Sequence, residues 1–250
     1  YNQDRWILSR LQYVKIQAQK HLSDYRLDLM SQTLYEFIWH DYCDWYLELS
    51  KPLLEDSQTK EGCESTLLKV LNETLVLLHP IIPFITEEIF EQAQKIQSKS
   101  DDKLISQPFP EPQHDLFDDH AEAEINWIKD FILGIRKIRG EMNISPGKLL
   151  PCFIKNFSIQ DMDYIDSNTS TLLSIAKLDS INLLSLNDEE DESAITLVGE
   201  MKILIPLAGL IDKGSEQERL NKEIEKLLRL KSQFSAKLGN EKFVNGAPEA

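Results

Sequence analysis

The stretch Phe37-Ile-Trp-His-Asp-Tyr-Cys-Asp-Trp-Tyr-Leu-Glu-Leu-Ser-Lys-Pro52 constrains the fold more than any other part of the chain. Five aromatic rings, three carboxylates and a cysteine are packed into a segment that reads as a single helix. Steps of three and four set Asp41, Asp44, Trp45 and Glu48 on one face and Trp39, Tyr42 and Tyr46 on a neighbouring one. Acidic groups beside flat rings suit unstacked bases, which stack on rings and donate amino hydrogens to carboxylates. The same composition also suits a bundle helix whose aromatics are core and whose acids pair with arginines of the next helix.

Nine glycines in 250 residues lean toward helix, because hairpin-rich sheets need more positive-φ positions. The formal net charge of −15 excludes holding nucleic acid by bulk electrostatics, so any RNA contact must rest on local basic patches. No run of eighteen apolar residues is present to span a membrane, and no stretch reads as a signal peptide. Cys43, Cys63 and Cys152 have no metal-ligand spacing and are odd in number, as expected in a reducing cytoplasm. The start at Tyr1-Asn-Gln-Asp, without an initiator Met, suggests a piece of a longer chain.

The pattern predicts a first helix capped by Asp4, with Trp6, Ile7, Leu8, Leu11 and Val14 as its stripe, to about His21. Positions 1–26 hold five cations against two carboxylates, a local excess in an acidic chain. A second helix is expected from Asp28 to Leu49, stopping near Pro52, then a polar loop over 55–64. A third runs through Leu67–Leu78 and is cut at His79-Pro80, and Thr86 is expected to cap a fourth. Residues 98–120 read as a long loop crossing the helices. A fifth helix over 121–143 buries Ile128, Ile132, Ile135, Ile138 and Met142 and turns Lys129, Arg136, Arg139 and Asn143 to the opposite side. That basic stripe is either a binding face or a plain solvated one.

After Pro146-Gly147 the period changes to strand-like runs at 149–154, 181–186, 195–198 and 201–205, with a helix over 161–176 and an acidic turn at 188–192. Ser215 and Glu218 match a capping box opening a last helix. There Leu220, Ile224, Leu227, Lys231, Phe234 and Leu238 form a coiled-coil seam, which calls for a partner helix to cover it. His114 and His120 among Asp115, Asp118 and Asp119 read as a solvated acidic stretch rather than a metal site.

Four segments resemble the C-terminal third of bacterial-type valyl-tRNA synthetases: Asp4-Arg-Trp-Ile-Leu8, Phe37–Glu48, His79-Pro-Ile-Ile-Pro-Phe-Ile-Thr-Glu-Glu88 and Ile138-Arg-Gly-Glu-Met-Asn-Ile-Ser-Pro-Gly-Lys148. The tail, Leu204–Ile211 and Asn240–Glu249, is similar to the start of that family's coiled-coil arm. The Asp-Arg-Trp and His-Pro segments are shared with isoleucyl and leucyl relatives, whereas Cys-Asp-Trp-Tyr-Leu-Glu and Asn-Ile-Ser-Pro-Gly-Lys are more specific.

The resemblance implies a mainly α fold. A helical-bundle anticodon-binding domain of the class Ia synthetases would occupy residues 1–147, a small α/β domain 148–213, and the truncated first helix of a coiled-coil arm 214–250. It implies a cytoplasmic, monomeric valine–tRNA ligase as parent, with tRNA(Val) and the rest of the synthetase chain as partners and with neither DNA nor membrane. ATP and Mg belong to the parent's catalytic domain and no cofactor to this region, since His-Ile-Gly-His and Lys-Met-Ser-Lys-Ser are both missing here.

Valine anticodons carry A in the middle and C in third place. On this reading Asp44 or Glu48 accepts from the cytosine amino group, and Trp39 or Trp45 stacks on a splayed base. Arg136, Lys137 and Arg139 hold phosphates, and Asn143 binds a base edge or a phosphate oxygen. Arg5 and Arg10 either touch RNA or neutralise Asp41 and Asp44 inside the bundle, and the second role is expected for Arg5. The fifth helix and the tryptophan-rich one should face a common open groove. Rival readings are the same region of an isoleucyl or leucyl enzyme, or a helical scaffold that binds protein through the Leu220–Leu238 seam.

Overall fold

A computed structural model describes residues 1–96, 102–185, 187–188, 192–207 and 213–238. The fold is mostly helical with one small four-stranded sheet. Helix α1 (Asn2–Ser23) is central to the helical part, with α2 (Leu27–Glu36), α4 (Lys60–Leu78) and α6 (Asp119–Glu141) packed along it. Its apolar stripe is sealed, with Trp6, Ile7, Leu11 and Ala18 fully buried. Asp4 is not its cap. The helix starts at Asn2, and Asp4 turns inward to accept a hydrogen bond from the Tyr46 hydroxyl at 2.6 Å.

The second helical rod runs past the expected stop, from α2 through Phe37–Tyr46 and on into α3 (Leu47–Glu55), with Pro52 inside it. Over Phe37–Tyr46 the turns widen to i→i+5 hydrogen bonding. Because a turn there holds more than four residues, three-and-four arithmetic slips along it. Trp39, Tyr42 and Tyr46 therefore do not share a fate: Tyr46 is buried, Tyr42 half-buried and Trp39 exposed.

Helix α4 begins at Lys60, so part of the expected polar loop is helical, and it ends at the predicted His79-Pro80 boundary. Helix α5 (Pro83–Ile96) starts at Pro83, whose fixed φ and missing N–H suit a first helical position. Thr86 lies within its first turn, 2.9 Å from His79 Nδ1 and 3.0 Å from the Ile82 carbonyl. The proline-rich loop crosses α1: Gln12 Oε1 accepts from the Gln113 amide, while Lys15 and Gln19 donate to the carbonyls of Glu111 and Pro110. Asp118 then caps α6 through the Ala121 amide.

Strands β1 (Leu150–Lys155), β2 (Leu178–Leu183), β3 (Ser193–Val198) and β4 (Met201–Pro206) form a sheet in the order β2-β1-β4-β3. Helix α7 (Ile159–Ala176) makes the crossover between parallel β1 and β2, and β3–β4 is a hairpin whose Gly199 adopts φ +58°. A Ser158–Asp161 capping box opens α7 two residues before the expected start. One hydrophobic core runs from α1 through Ile128, Ile132 and Ile135 of α6 to Cys152, Ile154 and Ile203 of the sheet. The boundary expected at 147 thus separates segments of sequence but does not divide the core.

Helix α8 (Lys213–Leu238) is present, with Ile224, Leu227, Lys231 and Phe234 open to solvent. The capping-box side chains of Ser215 and Glu218, most of the acidic turn and the tail segments 208–211 and 240–249 lie outside the described residues.

Candidate nucleic-acid interface

The widened stretch is pinned by Phe37 and Tyr46, both buried. Burial, reinforced by the Asp4 carboxylate, pushes the Tyr46 hydroxyl well above its ordinary range and keeps it a donor. With those two rings inside, Asp41 and Trp45 are directed at α6. Asp41 accepts from Arg10 Nε at 3.1 Å and from Lys129 Nζ at 3.2 Å. The Lys129 ammonium sits 4.1 Å from the Trp6 ring centroid and 5.6 Å from that of Trp45. Burial lowers the Lys129 pKa and Asp41 opposes the shift. The guanidinium of Arg136, two turns further along α6, lies 5.6 Å from the Trp45 centroid. Trp45 is therefore flanked by two cations, one half-buried and one exposed.

Sequence reasoning placed the two helices opposite each other across an open groove. Side chains bridge the space between them instead: Lys129 of α6 donates to Asp41, and Lys129 and Arg136 both reach the Trp45 ring. Of the two arginines expected at these acids, Arg10 serves Asp41, whereas Arg5, favoured for that role, reaches Asp118 at 2.5 Å instead.

The eight residues singled out from sequence fall into distinct situations. Trp39 is exposed, with its ring parallel to that of Tyr35 at 6.2 Å between centroids. Asp44 is exposed and lies 3.3 Å from His40 Nδ1. Glu48 is held by Lys51 Nζ at 2.6 Å, one turn along. Arg136 and Lys137 point outward from the last turns of α6, Lys137 with Glu141 4.0 Å away.

Arg139 does not belong with them. It is only 8% exposed and donates to the carbonyls of Ser145, Lys148, Ala176 and Lys177 at 2.6–3.2 Å. A guanidinium locked onto four carbonyls joins α6 to the end of α7 and has no reach toward a phosphate. Asn143 follows α6 at φ +51°, the left-handed region that asparagine tolerates better than most residues, and its side chain stays exposed.

Sequence reasoning missed Lys129 as a ring-packed cation, since nothing in its spacing distinguishes it from Arg136. It also passed over Tyr35, one turn before Trp39, whose ring lies parallel to it. Asp118, suspected within the acidic stretch, is occupied by its cap and by Arg5, and no metal-binding cluster of His, Cys, Asp or Glu occurs among the described residues.

Residues 4–154 match the model of the anticodon-binding domain of tRNA ligases. The chain is 43% identical over 98% of its length to the valine–tRNA ligases of Legionella pneumophila strains Lens and Paris. It spans 27% of those relatives' length. With a helical part that sets a tryptophan between cations and more than half of the sequence accounted for, this chain belongs to the anticodon-binding domain family of tRNA ligases.

Proposed function

We propose that this chain is the tRNA-recognition part of a cytoplasmic, monomeric valine–tRNA ligase, binding the anticodon stem and loop of tRNA(Val). The observation that carries the reading is the identity to valine enzymes along 98% of the chain, which takes in β2–β4 and α8 outside the matched family model. Residues 1–147 are the class Ia-type bundle that grips the hairpin, 148–213 brace α6, and 214–250 begin a coiled-coil arm. Amino-acid activation with ATP and magnesium is carried by the roughly three quarters of such an enzyme that this chain does not span.

In this reading Arg136 and Lys137 meet phosphates of the stem, where an exposed cation releases counterions on contact. Trp45, kept in place by Lys129 beneath it, and Trp39 with Tyr35 offer ring faces to splayed bases, each worth about 1–3 kcal/mol. Asp44 accepts from the cytosine amino group. Glu48 does so only after releasing Lys51.

Binding of the chain to hairpins carrying valine, isoleucine and alanine anticodons, over a salt series, tests this. With a net charge of −15, dissociation constants of roughly 10⁻⁴–10⁻⁶ M and a clear preference for the valine hairpin are expected. Equal binding of all three hairpins would overturn it.

A further inference from the structure

Carboxylates are spread through most of this acidic chain, but the stretches 131–140, 142–160 and 167–178 carry no Asp or Glu. In the fold these three stretches meet at the Arg139 guanidinium. Its Nη1 donates to the Ser145 carbonyl at 3.1 Å, and its Nη2 to those of Lys148, Ala176 and Lys177 at 2.8, 3.2 and 2.6 Å. Because one nitrogen reaches both lysine carbonyls, Lys148 and Lys177 lie side by side, although β1 and α7 separate them in sequence. Both are exposed, and so are Arg136 and Lys137, within a turn of Arg139 on α6. Four cations therefore share the junction between the helical part and the sheet. At its border Glu141 lies 4.0 Å from Lys137, and Asp179 accepts from the Ser180 hydroxyl at 3.2 Å.

The contrast with the rest of the surface is one of sign. The large concavity of about 820 Å³ between α4, α5 and residues 107–113 is lined by Glu73, Asp102 and Glu111 against Lys15, a balance that repels phosphate. With a net charge of −15, a polyanion can approach only where carboxylates are missing. Lys177 carries a second signal. It ends α7 at φ +55°, a left-handed position that glycine or asparagine would fill with less strain. Its ammonium pairs with no carboxylate among the described residues. A cation there also suits the α7 dipole, a role that would be felt in stability and not in RNA binding.

We propose that this junction is a second phosphate-contact surface, on which Lys148 and Lys177 meet the backbone of the hairpin stem beyond the phosphates held by Arg136 and Lys137. The assignment rests on the hairpin-binding function above and extends its footprint from the helical part onto the sheet.

The test uses the full chain, wild type and the double variant Lys148→Gln/Lys177→Asn, since asparagine tolerates the left-handed backbone. Affinity for hairpins with valine and alanine anticodons is measured over a salt series. Each lost phosphate contact flattens the slope of log K against log[salt] by roughly 0.7–0.9, so the double variant should flatten it by about 1.5 and bind about tenfold more weakly at low salt. The preference between hairpins should stay within about twofold of wild type, because phosphates carry no sequence information. Lys60→Gln, which removes a cation paired with Glu64 on α4, should leave the slope unchanged. An unchanged slope in the double variant, with or without a lower unfolding midpoint, overturns the phosphate assignment while hairpin recognition stands. Equal flattening in Lys60→Gln overturns it as well. If wild type does not distinguish the two hairpins, the recognition reading fails, and the slope still decides whether the junction holds phosphate.

Discussion

Helices α6 and α8, 23 and 26 residues long, both carry aliphatic side chains at steps of three and four. In α6 the stripe Ile128, Ile132 and Ile135 is fully buried, while Ile224, Leu227 and Phe234 of α8 are 53–59% exposed. A 3.6-residue period says which face of a helix requires cover, and it is silent about what covers it. Helix α6 has α1 on one side and β3 with α7 on the other. The same contrast recurs within α6 itself, where Arg136 and Arg139 are one turn apart, the first open to solvent and the second locked onto backbone carbonyls.

The largest effect expected from this contrast is in the core. Ile132→Ala should cost about 2–5 kcal/mol in urea unfolding, and Leu227→Ala less than about 0.5 kcal/mol. Equal losses would mean that the α8 stripe is covered in solution. Arg139→Met should cost about 3 kcal/mol, because buried carbonyls lose their donors. Arg136→Met should leave stability within about 0.5 kcal/mol and weaken hairpin binding instead. The reverse outcome would exchange the two assignments.

A pH titration sharpens the division between covered and open groups. Burial pushes the Cys152 thiol from 9.0 up to about 12, and burial likewise raises the Tyr42 hydroxyl from 10.0 to about 12. In both, the folded pKa lies above the unfolded one, so the unfolded chain loses its proton first as pH rises. Stability is intact below pH 9 and declines between 9 and 12, by up to about 1.4 kcal/mol per pH unit for each group. Unfolding midpoints of wild type and Cys152→Ala across pH 8–11 check this, the variant showing the shallower decline. A decline of equal slope would exclude Cys152 as its source.

The smallest effect compares two glycines of α6. A Cβ at Gly134 would lie 2.8 Å from Thr196 Cγ2 of β3, whereas one at Gly140 meets nothing within 4 Å. Gly140→Ala should stabilise by about 0.5–1 kcal/mol through helix propensity. Gly134→Ala should lose that gain and more, by about 1 kcal/mol, because helix and strand must separate. A gain at both would show that the contact between α6 and the sheet is loose.

Much of the architecture was legible before any coordinates. The isoleucine period of α6, the His79-Pro80 stop and the switch to strand-like runs after Pro146-Gly147 are local signals, written in side-chain spacing and in backbone restrictions of single residues. The candidate interface was legible in part. The helices that carry Trp39, Trp45 and Arg136 followed from local spacing. Arg139 was misread because its four acceptors come from segments 6–38 residues away, a meeting that no helical repeat encodes. The aromatic stretch was misread because period arithmetic presumes an α-helix, and the turns there widen as Phe37 and Tyr46 are both drawn into the core.

By itself, then, the sequence determined where helices and strands lie and which side of each is apolar, since those follow from local sterics and from the cost of leaving hydrocarbon in water. Tertiary structure alone decided which cations are neutralised, which rings remain free and where open space is left beside them. Burial, ion pairing and cavity shape depend on what arrives from elsewhere in the chain.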